Sequence, residues 1–150
     1  MTYCPPHKRI IGLPSNNFYL LAAKEFALAK AKDPKYKLGA VLVKDGRILG
    51  FGANGTDYHI KHGCRRQELG IPTGEQHELC PGCNPAYHAE QDAINNALKE
   101  HSVKYITGFD LYMYGHWHCC ISCWNKMLIA GVNQVYVDND ILEMGLTGKF

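Results

Sequence analysis

Two short motifs contain the residues of this sequence that are best suited to chemistry. The first is His88-Ala89-Glu90, and the second is Cys120-Ile121-Ser122-Cys123. Two cysteines three residues apart at the start of a helix lie on one face, so both thiolates can reach one ion. With the His88 imidazole they supply three ligands to Zn²⁺ and leave a fourth position open to water, which is typical of a catalytic zinc site.

Glu90 stands two residues after the predicted ligand His88. At this spacing its carboxylate can take a proton from a water at the zinc and deliver it to a ring nitrogen and a leaving amine. The positive ends of two helix N-termini would offset the charge of two thiolates and help to keep them deprotonated. The sequence therefore predicts a hydrolytic site with Glu90 as the proton carrier.

A second Cys-x-x-Cys pair, Cys80 and Cys83, lies in a segment from about residue 53 to 87 that shows no helix or strand period. A segment of this length is usually a functional loop or is ordered by a ligand. With Cys64 and one histidine, the pair predicts a closed structural zinc site that orders the loop. The alternative is a set of thiols that bind no metal. The candidate histidines are His59, His62 and His77, and we name His62 as the fourth ligand.

Composition narrows the class of protein. The chain has 150 residues, 46% hydrophobic and 20% charged, which is typical of a globular domain and excludes a disordered one. Its 16 basic and 14 acidic residues leave a net charge of +2, which argues against binding nucleic acid by bulk charge. We expect one domain over residues 1–150. An odd number of cysteines, with no signal peptide and no membrane span, predicts a cytoplasmic protein with reduced thiols.

Periodicity predicts the elements that must position these residues. An amphipathic helix follows Ser15, its candidate N-cap, and a tight hairpin turns at Asp45-Gly46. The strand before that turn is almost wholly apolar, which indicates a sheet covered by helices on both faces. The last strand, helix and strand should form a parallel, right-handed unit. The later elements are a helix from His88, a strand over 109–114, a helix over 119–130 ended by Gly131, and a strand over 134–137.

Together these features resemble the zinc-dependent cytidine and deoxycytidylate deaminase superfamily, whose signature is His-x-Glu followed by Cys-x-x-Cys. The long segment resembles bacterial and phage deoxycytidylate deaminases. The resemblance implies an α/β fold, the cytidine deaminase-like three-layer α/β/α sandwich with a mixed central sheet. The matching stretches are residues 39–41, 52–55, 88–94, 120–123 and 129–132, with 63–66, 71–75 and 78–80 in the long segment.

The resemblance also implies an activity, the hydrolytic deamination of a cytosine nucleotide, with conversion of dCMP to dUMP and ammonia as its form here. It implies a homo-oligomer, commonly a dimer or hexamer, in which neighbouring chains help to close the site. The implied site residues are the zinc ligands His88, Cys120 and Cys123, the proton carrier Glu90, and the substrate contacts Asn54 and the Ala89 backbone.

Further substrate contacts are suggested by residue type alone. Lys61, Arg65 and Arg66 form a basic cluster that would bind a nucleotide phosphate, or would simply be a solvated loop. Trp117 and Tyr58 would stack on the base, or serve as packing residues.

One departure from the family pattern affects the substrate. The family usually has proline directly before Cys-x-x-Cys, and this chain has Cys119 there, after His116-Trp117-His118. The residue adds a third thiol, although only Cys120 and Cys123 reproduce the motif spacing. The departure leaves open the deamination of another nucleoside, a free base or a base within RNA.

The sequence is also compatible with a non-catalytic function. The pairs Cys80-x-x-Cys83 and Cys120-x-x-Cys123 would together form one four-cysteine zinc site of an interaction module. That arrangement would give His88 and Glu90 no role.

Overall fold

A five-stranded mixed sheet forms the centre of the protein in a computed structural model, which describes residues 3–72, 74–104 and 106–149. The strand order is β1-β5-β4-β2-β3. The strands β1, β5 and β4 are parallel, while β2 runs antiparallel to both β4 and β3. The predicted mixed sheet and the parallel pairing of the last two strands are therefore confirmed. The strands are β1 Ile10–Leu13, β2 Gly39–Lys44, β3 Arg47–Ala53, β4 Phe109–Tyr114 and β5 Val132–Asp138.

Helices cover the two faces of the sheet, which makes the predicted three-layer α/β/α arrangement. Helix α1 packs its buried residues against Val41, Val43 and Tyr112 on one face. Helices α4 and α5 pack against Ala40 and Leu42 on the opposite face. The helices are α1 Phe18–Lys30, α2 Asp57–His62, α3 Arg65–Glu68, α4 Ala89–Glu100, α5 Ile121–Ala130 and α6 Asn139–Leu146, with 3₁₀ turns at His77–Leu79, Pro81–Cys83 and Pro85–Tyr87.

The hairpin of β2 and β3 has the turn that the sequence predicts. Asp45 and Gly46 both have positive φ, 51° and 75°, as a two-residue turn between twisted strands requires. The five residues of β2 from Gly39 to Val43 are all buried. This strand is the site of contact for helices on both faces, as its apolar composition predicts.

Close packing fixes the start of α4 over strand β3. A Cβ on Gly52 would overlap the carbonyl oxygen of Ala89 and the backbone nitrogen of Ala93. Glycine in the strand and alanine in the helix therefore allow the two backbones to approach each other closely. This contact holds the first turn of α4, with Glu90 in it, against the sheet.

Some local predictions are wrong. The N-cap of α1 is Asn17 rather than Ser15, because the Asn17 carboxamide oxygen accepts the N–H groups of Tyr19 and Leu20 at 3.0 and 3.2 Å. Strand β1 and helix α6 were not predicted. The segment over 53–87 contains two short helices and three 3₁₀ turns rather than irregular loop alone. No helix in the described ranges has the length and apolar character needed to cross a bilayer.

Candidate functional site

The first cluster, defined as His88, Cys120 and Cys123, lies where α4 and α5 begin. His88 is the N-cap of α4, and Cys120 is the N-cap of α5. The His88 Nδ1 atom lies 3.5 Å from Cys120 Sγ and 3.4 Å from Cys123 Sγ. The structure therefore brings together the three residues predicted to bind zinc.

The geometry of the first cluster fits a tetrahedral zinc ion. With Zn–S near 2.3 Å and Zn–N near 2.0–2.1 Å, the nitrogen–sulfur edge of such a tetrahedron is about 3.6 Å. Both observed edges, 3.5 and 3.4 Å, are close to that length. Two thiols and an imidazole are also the ligand types that zinc prefers, so the donor set and its spacing agree.

Hydrogen bonding prepares Cys120 to be a thiolate. The Cys123 thiol and the His88 imidazole donate to its sulfur, and together they lower the pKa of Cys120 to about 4 although burial opposes the shift. The backbone N–H of Cys123 adds a further bond to the same sulfur at 3.4 Å. These bonds favour the thiolate form of Cys120, which is the form that binds a metal.

Glu90 lies in the first turn of α4 and is only 4% exposed. Burial raises the pKa of its carboxyl group, although the nearby His88 charge opposes the shift. A raised pKa makes this carboxylate a stronger proton acceptor than an exposed glutamate, and a general acid–base group must both accept and release a proton. Its place and environment suit the role of proton carrier predicted from the sequence.

A cavity of about 240 Å³ opens in front of the first cluster. His88, Glu90 and Cys120 line one side of it. Other segments supply further walls, which include the predicted substrate contacts Asn54 and Arg66. A concave site of this kind, with a few polar groups and a perturbed carboxyl, is where a small ligand is expected.

The side chain of Asn54 already makes two hydrogen bonds to the protein. Its Oδ1 accepts the N–H of Leu38, and its Nδ2 donates to the carbonyl of Tyr36, both at 2.8 Å. One lone pair and one amide hydrogen remain for a ligand. The predicted contact Ala89, first residue of α4, is completely buried.

The three residues of the basic cluster, Lys61, Arg65 and Arg66, lie in different environments. Arg66 lines the cavity and is half-buried. Arg65 is exposed and pairs with Glu68 at 3.2 Å, and Lys61 is also exposed. Of these three basic side chains, only Arg66 lines the cavity.

Trp117 and Tyr58 do not line the cavity in front of the first cluster. Trp117 packs against α6, where a Cβ on Gly145 would overlap its ring, and it lines a neighbouring cavity rather than the one with Glu90. Tyr58 packs on the His62 ring with centroids 4.8 Å apart. Both side chains make packing contacts, and their stacking on a base stays a prediction.

The second cluster, defined as His59, Cys64, Cys80 and Cys83, lies in the long segment. The His59 Nε2 atom lies 3.4 Å from Cys80 Sγ and 3.5 Å from Cys83 Sγ. The Sγ atoms of Cys64 and Cys83 are 3.5 Å apart. Four ligand atoms at these spacings fit a closed structural zinc site.

The histidine of the second cluster corrects the prediction of His62. In α2, His59 points inward and is 9% exposed, while His62 is exposed and stacks on Tyr58. The third candidate, His77, packs against His88 with ring centroids 5.1 Å apart. The sequence spacing of the histidines could not reveal which face of this short helix turns toward the cysteines.

The two cysteine pairs belong to different clusters. Cys80 and Cys83 group with His59, whereas Cys120 and Cys123 group with His88. The prediction of one four-cysteine site is therefore wrong. Cys119 lies outside both clusters, since its side chain is 1% exposed within the apolar core and burial raises the pKa of its thiol.

Several residues of the cavity carry no signal in the sequence. Asp33, Tyr36 and Leu38 line it, yet no motif marks them. His116 and His118, which follow β4, also line it, as their place near the cysteine motif suggested. Burial lowers the pKa of His116 to about 4, so this imidazole is neutral near pH 7.

Comparison with known proteins agrees with this geometry. The family model described as the cytidine and deoxycytidylate deaminase zinc-binding region matches residues 14–139. The deoxycytidylate deaminase of Saccharomyces cerevisiae is 25% identical over 126 residues, which are 81% of this chain and 37% of that protein. The ComE operon protein 2 of Bacillus subtilis is 26% identical over 129 residues, 83% of this chain and 59% of that protein. The chain thus spans less than two thirds of these curated relatives.

Among solved structures, the dCMP deaminase of the cyanophage S-TIM5 in complex with dCMP and dUMP is similar, with a TM-score of 0.55 and 28% identity. The match covers 87% of this chain and 86% of that one. The family model includes every residue of the first cluster and Glu90. The chain therefore belongs to the cytidine and deoxycytidylate deaminase zinc-binding family.

Proposed function

We propose that this protein hydrolyses the amino group of a cytosine nucleotide and converts dCMP to dUMP and ammonia. The observation that carries the proposal is the first cluster beside the buried Glu90, in one small cavity. The cyanophage relative, whose structure holds dCMP and dUMP, supports this choice of substrate. The ligand roles of His88, Cys120 and Cys123 are part of the proposal.

The reaction needs proton transfers that this chain can make. A zinc ion at the first cluster would lower the pKa of a bound water. Glu90 accepts a proton from the attacking water and passes it to N3 of the ring. As the C4–O bond forms, C4 becomes tetrahedral and carries a hydroxyl group. Glu90 then takes the proton of this hydroxyl and delivers it to the amine, and the C4–N bond breaks to leave the C4 carbonyl and release ammonia. Neutral His116 can form a hydrogen bond with the substrate, and so can the remaining lone pair and amide hydrogen of Asn54.

An ammonia-release screen tests the substrate. We expect dCMP to give the highest kcat/KM among dCMP, dCTP, cytidine, deoxycytidine, guanine and adenosine. Preference for guanine or adenosine would favour the deaminase of another amino-heterocycle. Absence of ammonia from every compound, with zinc bound, would refute the proposed activity.

Arg66 lines the cavity, and three of its five N–H groups donate to Glu75, Pro72 and Cys83. The two that remain should bind the substrate phosphate. We expect Arg66→Ala to raise KM for dCMP about 10- to 100-fold, the value of a charged hydrogen bond. The KM for deoxycytidine, which lacks the phosphate, should change less than threefold. The matched control is Arg65→Ala, whose side chain is exposed. Equal losses with both substrates would mean that Arg66 only supports the loop.

The second cluster should bind a structural zinc ion, so that two clusters hold two ions per chain. We expect His59→Ala to lower the zinc content measured by mass spectrometry to about one ion per chain, because a closed site loses one of four ligands. The matched control His62→Ala, in the same helix but exposed, should keep both ions. One zinc per chain in the unaltered protein would contradict this assignment.

The assembly and location form part of the same proposal. We propose a homo-oligomer, a dimer or hexamer, and the apolar side chains on the outer side of α5 support it. Ile121 and Ile129 are 57% and 85% exposed. Light scattering measures the assembly. We also propose a cytoplasmic location, which the unpaired thiols of both clusters support.

A further inference from the structure

One carboxylate joins the second cluster to a wall of the substrate cavity. Asp33 Oδ2 lies 3.1 Å from His59 Nδ1. Its Oδ1 accepts the backbone N–H groups of Lys35 and Tyr36 at 2.9 and 2.8 Å. The Asp33 side chain is only 16% exposed. It therefore holds an imidazole of the cluster and the turn over residues 33–36 at the same time.

From this turn, hydrogen bonds continue to the cavity. The Tyr36 carbonyl accepts from Asn54 Nδ2, and Asn54 Oδ1 accepts the N–H of Leu38. Asp33, Tyr36, Leu38 and Asn54 all line the cavity that contains Glu90. The shape of this wall thus depends on the direction of the Asp33 carboxylate.

The orientation of His59 links this carboxylate to a bound metal. Its Nδ1 faces Asp33, and its Nε2 faces the sulfurs of Cys80 and Cys83. A metal on Nε2 requires the other ring nitrogen to carry the hydrogen, which Asp33 then accepts. Metal binding therefore fixes both the tautomer and the ring, and holds the carboxylate in place.

A second connection runs through Arg66. Its Nη1 donates to Cys83 Sγ at 3.2 Å, and the residue also lines the cavity. A metal-bound thiolate is an anion and holds this guanidinium more firmly than a neutral thiol does. The second cluster thus contacts the cavity on two sides.

Glu90, the group that transfers protons, has a separate support. Glu90 lies on α4, whose residues Ala89 and Ala93 are completely buried against the sheet. The packing of Gly52 on Ala89 does not involve the second cluster. A change in the cluster should therefore alter substrate binding and leave the proton transfers intact.

We propose that Asp33 is a positioning residue through which a metal ion at the second cluster sets the affinity of the cavity for its nucleotide. The substrate in this statement rests on the proposed function, whereas the link from metal to cavity wall does not. Occupancy of the cluster would then govern KM, with little effect on kcat.

The first experiment replaces the carboxylate with an amide of the same shape. Asp33→Asn should weaken metal binding at the second cluster about 10- to 100-fold, as loss of such a partner typically does. We expect KM for dCMP to rise about tenfold, kcat to change less than twofold, and added Zn²⁺ to restore KM. The matched control Asp57→Asn, in α2 and 64% exposed, should leave all three unchanged. An unchanged KM, or one that zinc does not restore, would overturn the proposal.

Hydrogen exchange gives a readout that needs no activity. In Asp33→Asn, amides of residues 35–38 and 54 should exchange about tenfold faster, and excess Zn²⁺ should reverse the change. Amides of α4 should keep their rates. Cys64→Ser, which removes a ligand and leaves Asp33 in place, should produce the same pattern, and Cys4→Ser, at an exposed thiol outside both clusters, should not.

These measurements separate the two proposals. If the unaltered protein releases no ammonia but exchange over 35–38 follows zinc, the proposed function fails and the link stands. If dCMP is deaminated but exchange over 35–38 does not respond to Cys64→Ser, the link is wrong and the function stands.

Discussion

Replacement of Glu90 by glutamine should reduce kcat at least about 10³-fold, because the amide cannot accept the proton of the attacking water. The side chain keeps its volume, so a residue that is 4% exposed should still pack. Zinc at the first cluster should remain, since Glu90 is not one of its three residues. Ammonia release and zinc content measured on the same preparation check both expectations.

The control for this variant comes from the other end of the same helix. Glu100 is the last residue of α4 and is exposed, so Glu100→Gln should keep full activity and zinc. Turnover within tenfold of normal in Glu90→Gln would contradict its role as proton carrier. Loss of zinc together with turnover would instead indicate that Glu90 supports the metal.

Replacement of Cys120 by alanine should abolish turnover and lower the zinc content to about one ion per chain. The variant removes the sulfur that lies 3.5 Å from His88 Nδ1 and that has the lowered pKa. Two remaining ligands cannot hold a catalytic zinc tightly. Zinc analysis after dialysis, with the ammonia assay, measures the effect.

The adjacent thiol is the matched control. Cys119→Ala should keep zinc at the first cluster, because Cys119 is not one of its three residues, and should reduce activity less than Cys120→Ala does, because its thiol contacts Glu90 but binds no metal. Truncation of this buried side chain should cost about 1 kcal/mol of unfolding free energy, measured in urea. If Cys119→Ala loses zinc while Cys120→Ala keeps it, then Cys119 is the zinc ligand and Cys120 is not.

The sequence predicts those parts of the fold in which a local pattern and the tertiary packing agree. The wholly apolar run of β2 and the Asp45-Gly46 turn specify a buried hairpin, and the structure has it. Helix α5 ends as predicted at Gly131, which has a φ of 94°. In each case the chemistry of a few adjacent residues determines the conformation.

The elements that were missed depend on distant partners. Strand β1 has four residues and forms only by pairing with β5, more than 120 residues further along the chain. Helices α2 and α3, of six and four residues, are too short to be stable alone. Their local sequences contain no period long enough to recognise.

In the site, too, some features follow from the local sequence and others depend on the tertiary fold. The spacing within His88-x-Glu90 and Cys120-x-x-Cys123 predicts which groups meet, because each motif lies in the first turn of its own helix. The choice of His59 over His62, and of Arg66 over Arg65, depends on how a short helix is rotated in the fold. No alternation in the sequence encodes that rotation.

The packing of α4 on β3 also limits how this protein can change. Side chains at Gly50 and Gly52 would overlap the backbone of α4, so both positions tolerate only glycine while the helix stays in place. In the long segment a Cβ would overlap the Asp33 backbone at Gly55 and the His59 ring at Gly82, whereas most residues over 61–70 are exposed and free of such packing. Mutations in the exposed part of that segment should therefore be the source of new substrate preferences. The reacting groups would keep their positions, because the packing of α4 on β3 tolerates few substitutions.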